Sequence, residues 1–230
     1  MPDGAAQRRQ VAVYDLDGTV LRRSSFTPFL LFAARCRQPW RLAFAPAWFG
    51  AMALYKFGCF SRGALKQFGL RLFLGRRVTE PALRELSHGF ADLAIPAWVA
   101  PGAAAAIRSD RAEGRVLVLA TAAMEFYAVE IARRLGFDHV VASRIEPLGT
   151  VGSTCKLQGE NCYGPAKRAR VDQLFTDLGW QRPECFVRFY TDSVADAPLL
   201  DRADEPILVN AAGRARRIAT RRGWKLRRFH

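Results

Sequence analysis

VAVYDLDGTV, residues 11–20, ends a short apolar run in two carboxylates one residue apart, Asp15 and Asp17, followed by a Gly and a Thr. Valine, alanine and tyrosine in succession read as a buried strand, and the Asp-Gly dipeptide that follows marks a turn. A carboxylate set at the end of such a strand is a competent nucleophile toward phosphorus when a divalent cation neutralises the approach of two anions. Asp15 fits that role. Asp17, two residues on, is placed to protonate a leaving oxygen and then to activate water. Gly18 permits the tight turn, and the Thr19 hydroxyl is expected to fix it by hydrogen bonding.

Outward from this stretch, strand and helix signals alternate. RVLVLAT (115–121), HVVAS (139–143), CFVRFYT (185–191) and PILVN (206–210) read as further short strands. Helical patterns lie between them at about 102–112, 123–135, 165–178 and 195–203, stopped at Gly114, Gly136 and Gly179. This alternation predicts an α/β fold, a doubly wound Rossmann-like parallel sheet with its site at the carboxyl ends of the strands. EPLGTVGSTCKLQGENCYG (146–164) is rich in Gly and polar residues and reads as a hairpin or loop excursion. Residues 23–99 have helical aromatic and aliphatic spacing with few strand signals, so the chain divides into a core of 1–22 and 100–230 and an α-helical cap of 23–99.

Three more stretches suit a phosphoryl-transfer site. Thr121 ends the second strand, where its hydroxyl and the following main-chain N–H of Ala122 are expected to hold phosphate oxygens at a helix N-terminus. Lys167 follows Pro165 at a helix start, as a point cation for phosphate and nucleophile together. In YTDSVADAPLL, Asp192, Ser193 and Asp196 follow a strand and open a helix, supplying acidic partners for a cation.

In order, DLDGT, Thr121, Lys167 and DSVAD resemble the four motifs of the haloacid dehalogenase superfamily of phosphatases, and the resemblance spans residues 11 to about 210. A cap inserted directly after the first motif resembles the subclass that contains phosphoserine phosphatase and phosphatidylglycerophosphatase C. The resemblance implies that Asp15 is the nucleophile and Asp17 the acid/base. It implies Mg²⁺ held by the Asp15 and Asp192 carboxylates and the Asp17 main-chain carbonyl. Thr121, Ala122 and Lys167 then bind phosphate, with Gly18, Thr19, Ser193 and Asp196 in support. Where relatives carry Gly after the second-motif hydroxyl, this chain has Ala122 and Ala123.

The cap composition bears on the substrate. From Gly18 through Thr79 there is no Asp or Glu, against eleven Lys and Arg and twelve interleaved aromatics. That combination suits a helix lying on an anionic bilayer. The uncharged run between Arg41 and Lys56 is interrupted by Pro46 and Gly50 and is shorter than the roughly 20 residues that span a membrane. The alternative is that the aromatics form the cap's own core. Phosphoserine phosphatases place a Glu shortly after the first motif; here that place reads Arg22, Arg23, Ser24, Ser25, which favours an anionic headgroup. Arg22, Arg23, Arg35, Arg37, Arg41 and Trp48 are accordingly the expected substrate or lipid residues. The substrate expected is a lipid phosphate such as phosphatidylglycerophosphate, with a soluble phosphomonoester as the alternative.

Bulk composition fits this reading. With 35 Lys+Arg against 21 Asp+Glu the net charge is +14, which attracts polyanions. A nucleic-acid-binding protein is a further alternative, encouraged by eight cations between Arg214 and Arg228, but no nucleic-acid module is recognisable and no nucleic-acid partner is expected. The five Cys form no C-x-x-C pair and the three His are scattered, so neither a disulfide framework nor a zinc site is indicated. The N-terminal stretch lacks the apolar segment of a signal peptide, so the expected location is cytoplasmic, peripheral to the inner face of the membrane.

Overall fold

The computed structural model describes residues 8–146 and 155–230. Seven strands form one sheet in the order β4-β3-β2-β1-β5-β6-β7. They are β1 (Arg9–Tyr14), β2 (Val116–Met124), β3 (His139–Ile145), β4 (Leu157–Gln158), β5 (Cys185–Thr191), β6 (Glu205–Val209) and β7 (Lys225–Arg227). All pairings are parallel except β3 with β4, which is antiparallel through Arg144↔Gln158 and Ile145↔Leu157. The 146–164 excursion is therefore a short hairpin at its described end, while residues 147–154 lie outside the described residues.

Because β1 is central and buried on both faces, its residues alternate between two apolar clusters. Val11 and Val13 join Val118, Phe189 and Leu208 on one face. Ala12 and Tyr14 join Leu117 and Leu119 on the other. With β2 on one side of β1 and β5 on the other, the strand order reverses at β1, and the crevice beyond its carboxyl end opens at Asp15.

Residues between β1 and β2 are helical: α1 (Phe26–Arg37), α2 (Ala45–Lys56), α3 (Arg62–Leu74), α4 (Glu80–Trp98) and α5 (Pro101–Ala112), with a 3₁₀ turn over Pro39–Phe44. Together with the sheet this is the expected Rossmann-like core carrying a helical cap. The cap is not a separate apolar unit. Phe29 stacks on Tyr127 at 4.7 Å and meets Phe90 edge-on at 5.3 Å, so α1 and α4 close over α6 (Glu125–Leu135) in the same cluster that holds Tyr14.

The remaining helices are α7 (Pro165–Asp177), α8 (Ala197–Leu200) and α9 (Gly213–Arg222). Two boundaries differ from the sequence expectation. β2 runs three residues beyond Thr121, with a shift of register between Ala120 and Met124, so α6 begins only at Glu125. The helix expected at 195–203 is a 3₁₀ turn at Val194–Asp196 followed by the single turn α8.

Candidate active site

The crevice at the end of β1 holds about 430 Å³ and is lined by Asp15, Asp17, Thr121, Lys167, Asp192, Ser193 and Asp196, together with Ser24, Arg62, Ala122 and Tyr163. All four sequence motifs therefore meet in one place, although Lys167 lies 152 residues from Asp15 along the chain. Lys167 is buried in the first turn of α7, behind Pro165, and its Nζ donates to Asp15 Oδ1 at 2.8 Å and to Asp196 Oδ2 at 2.6 Å. Asp196 also accepts from Thr191 Oγ1 at 2.9 Å and from the Gly164 N–H at 3.3 Å. Its described bonds hold the lysine in place. Burial disfavours the charge on Lys167, but the two carboxylates outweigh it and raise its pKa.

The carboxylates answer to the same two forces. Burial pushes the Asp15 carboxyl upward and Lys167 pulls against it. Burial likewise raises Asp17, opposed by the Ser25 N–H that donates to its Oδ1 at 2.9 Å. Asp192 is pushed up to about 6, again by burial. Asp192 lies against the first-motif loop: a Cβ on Gly18 would come 2.6 Å from Asp192 Cγ, and closer still to Oδ2. Gly18 has φ +78°, the left-handed region in which only glycine is unstrained.

The loop itself is held by main-chain bonds. The Leu21 N–H donates to the Leu16 carbonyl at 2.8 Å, and Asn210 Nδ2 donates to the Gly18 carbonyl at 3.1 Å. The role expected for the Thr19 hydroxyl is not found. Thr19 is fully buried, and its Oγ1 has no hydrogen-bond partner among the described residues. Thr121 differs too. Its Oγ1 accepts from the Ala123 N–H at 3.0 Å inside the irregular end of β2, so the expected helix N-terminus stands four residues away at Glu125.

Mg²⁺ prefers hard oxygen donors, keeps several waters and uses one or two carboxylates plus substrate phosphate. Asp15 and Asp192 line one crevice, with Asp192 against the Gly18 turn, so the donors present there are hard oxygens of the kind this cation takes. No group of three His, Cys, Asp or Glu side chains is arranged around a cation position among the described residues.

The cap residues fall out differently from expectation. None of Arg22, Arg23, Arg35, Arg37, Arg41 or Trp48 lines the crevice. Trp48 is 1% exposed, seated on Gly69 and edge-on to Phe26 and Phe73, because α2 needs one large side chain to fasten it to α1 and α3. Arg22 donates to the Ala97 carbonyl at 2.7 Å at the end of α4, and Arg41 donates to the Leu72 carbonyl at 2.7 Å near the end of α3. Arg23 lies over the Trp98 ring at 5.0 Å. Arg35 and Arg37 remain exposed in the last turn of α1.

The cap reaches the crevice through α3 instead. Arg62 lines it, stacked over the Tyr163 ring at 3.7 Å with its Nε toward Tyr55 Oη at 3.3 Å. One turn on, Lys66 is buried and donates to the Ala122 carbonyl and to Asn161 Oδ1 at 2.5 Å, a cluster that Ser143 Oγ joins by donating to Ala122 at 3.0 Å. Burial lowers the Lys66 pKa to about 8. Both belong to the eleven cations of the acid-free stretch, and neither was among the residues expected to meet the substrate. Their helical phase carries the missing signal: Lys66 is three, four and seven residues before Gly69, Leu70 and Phe73, all buried.

Protein CicA of Caulobacter vibrioides is 29% identical over 203 residues, 85% of this chain and 83% of its own. Phosphoserine phosphatase SerB1 of Mycobacterium tuberculosis is 29% identical over 221 residues, 95% of this chain and 70% of its own. A crystal structure of a protein of unknown function from Bordetella pertussis superposes with a TM-score of 0.83 at 28% identity, covering 95% of this chain and 98% of that one. The family model of the haloacid dehalogenase-like hydrolases matches residues 12–201, from the strand that delivers Asp15 to the turn beyond Asp196, and the chain belongs to that family.

Proposed function

We propose that the chain is a phosphomonoesterase working through an aspartyl-phosphate on Asp15, with a lipid phosphate as its substrate. One observation carries the catalytic reading: a buried lysine joins Asp15 to Asp196 in a crevice that also holds Asp17, Thr121 and Asp192. Such a lysine favours the ionised nucleophile against the burial that opposes it, and offers its positive charge to an arriving phosphate. A carboxylate oxygen of Asp15 attacks phosphorus as the ester P–O bond breaks, and Asp17 passes a proton to the departing alkoxide. Asp17, now ionised, takes a proton from water as that water attacks the phosphoenzyme, releasing inorganic phosphate and restoring Asp15. The Ser25 N–H on Asp17 Oδ1 leaves Oδ2 to handle the proton. Thr121, the Ala122 N–H and Lys167 steady the phosphate oxygens, and Ser193 and Asp196 hold the surrounding loop and lysine. Asp15, Asp192 and the Asp17 carbonyl would hold Mg²⁺, which would neutralise charge between nucleophile and phosphate.

Likeness to a phosphoserine phosphatase supports the reaction class, while the cap's charge argues against an amino-acid substrate. No acidic side chain lies between Gly18 and Thr79 to receive an ammonium, and the crevice wall from the cap is Ser24 and the Arg62 guanidinium. That supports an anionic leaving group, and the apolar helix α2 beside it supports an amphiphilic one. The test is turnover of phosphatidylglycerophosphate in mixed micelles against phosphoserine and sugar phosphates, with Asp15→Asn as the chemical control. Faster turnover of the lipid, abolished in Asp15→Asn, is expected. Preference for phosphoserine, or near-native turnover by Asp15→Asn, overturns the reading.

A further inference from the structure

Helix α2 is built the wrong way round for a helix in water. A surface helix turns its apolar stripe inward and its polar residues outward. In α2 only Trp48 is buried, and every exposed residue before Lys56 is apolar or glycine: Pro46, Ala47, Phe49, Gly50, Ala53 and Leu54. The spacing of Pro46, Phe49 or Gly50, Ala53 and Phe57 is that of one helical face. Phe49 is 54% exposed, Leu54 48% and Phe57, just past the helix, 84%. The preceding 3₁₀ turn continues the patch with Trp40, 60% exposed, its ring 5.7 Å from that of Phe44. An exposed apolar patch of this kind marks an interaction surface.

We infer that this face of α2 lies in the interfacial layer of an anionic lipid bilayer. Charge decides the occupant. Exposed Arg35 and Arg37 precede the patch and Lys56 closes it, within a stretch of sixty-two residues, 18–79, that contains no acid. Two copies of this chain meeting through the face would set cation against cation, whereas an anionic headgroup layer complements them. Exposed Trp and Phe beside Arg and Lys are the residue types that settle at the boundary between headgroups and acyl chains. Depth is limited, since α2 has twelve residues and a span of about 18 Å along its axis, and no described helix is long and apolar enough to cross a membrane. The placement serves the crevice. α2 is fastened to α3 through Trp48 on Gly69 and Phe73, and α3 carries Arg62 to the crevice and Lys66 to the Ala122 carbonyl at its edge. The lipid surface and the cap wall of the crevice are then separated by about one helix-to-helix distance, on the order of 10 Å. This inference deepens the lipid-phosphate reading by naming the partner surface.

The test uses the full chain as Asp15→Asn, so that binding is read without turnover, in flotation with vesicles of phosphatidylcholine alone or with about one third phosphatidylglycerol. Expected is binding to the anionic vesicles, weak binding to the neutral ones, and release as ionic strength rises. Phe49→Ser, Leu54→Ser and Phe57→Ser combined are expected to lower the partition coefficient by on the order of 30-fold or more, and Arg37→Gln with Lys56→Gln by about fivefold each. In the wild-type background the same triple variant keeps its turnover of a soluble aryl phosphate. Binding indifferent to lipid charge, or unchanged by the triple variant, overturns the inference. So does a dimer in sedimentation that the triple variant dissolves while vesicles go unbound. Vesicle binding without hydrolysis of any lipid phosphate leaves the docking face standing and removes the substrate reading instead.

Discussion

Gly18→Ala puts the proposed metal side of the crevice under a graded load. The added methyl falls 2.6 Å from Asp192 Cγ, where nonbonded carbons sit at about 3.5 Å or more, so loop and carboxylate must separate by roughly 1 Å. Alanine must also adopt φ near +78°, a strain of about 1–2 kcal/mol for a residue with a Cβ. In a chain of this length each kcal/mol lowers Tm by about 2–4 °C, so strain alone lowers it by roughly 2–8 °C. The catalytic effect is larger. A displacement near 1 Å among groups that act on one phosphate costs on the order of 100-fold in rate. The assay is kcat on an aryl phosphate at saturating Mg²⁺, paired with thermal melts. A double-mutant cycle sharpens it: in an Asp192→Ala background the collision is gone, and Gly18→Ala costs only its backbone strain. Gly18→Ala with more than a third of wild-type kcat, or with the same Tm cost in both backgrounds, would refute the proximity of Asp192 to the loop as the feature on which the site depends.

Trp48→Ala should destabilise by about 3–5 kcal/mol, since Trp48 is the one large side chain fastening α2, while Phe57→Ser at 84% exposure should stay within about 0.5 kcal/mol; thermal melts that rank them the other way contradict the packing. Lys66 has its folded pKa lowered to about 8 against about 10.4 unfolded, so the unfolded chain holds more protons between those values and wild-type stability rises with pH across that window. Lys66→Met lacks that rise, and the difference between the two proteins in melts at pH 7.5 and 10 should approach about 3 kcal/mol at most; parallel pH profiles would show that Lys66 is not buried as a cation. Chelation with EDTA should stop aryl phosphate turnover and Mg²⁺ restore it, with Mg²⁺ raising the Tm of wild type and not of Asp192→Asn; full activity in a verified metal-free preparation removes the cation from the reaction.

The sheet and its crevice were legible because their signals are local. VAVY commits β1 to burial on both faces, the turn at Gly18 must follow, and Pro165 announces the helix that carries Lys167. The end of β2 was not legible. Ala122, Ala123 and Met124 suit a helix as well as a strand, and pairing of Met124 with Ser143 across the sheet decides in favour of extension. Thr19 misled for a related reason: a hydroxyl in a turn is a donor in search of a partner, and only the tertiary structure shows that the loop is tied by Asn210, 192 residues away, instead.

The cap shows where composition stops informing. Counting cations and aromatics between residues 18 and 79 gives their number and not their direction, and direction follows from helical phase and from which carbonyls need partners. A stretch without a carboxylate leaves its arginines only two kinds of internal acceptor, side-chain amides or hydroxyls and the unpaired carbonyls at helix ends. Arg22 takes the latter at the end of α4, and Arg41 takes both, the Leu72 carbonyl near the end of α3 and the Gln38 amide oxygen; at both helix ends the dipole also favours a cation. Lys66 takes the Asn161 amide oxygen and, outside both kinds, the Ala122 carbonyl in the irregular end of β2, and so carries positive charge to the edge of the crevice. Arg35, Arg37 and Lys56 stay exposed, and they border α2, whose outward face is apolar. The absence of acids therefore has two consequences: it drives some cations inward onto main-chain oxygen, and it leaves Arg35, Arg37 and Lys56 exposed to an anion outside the chain.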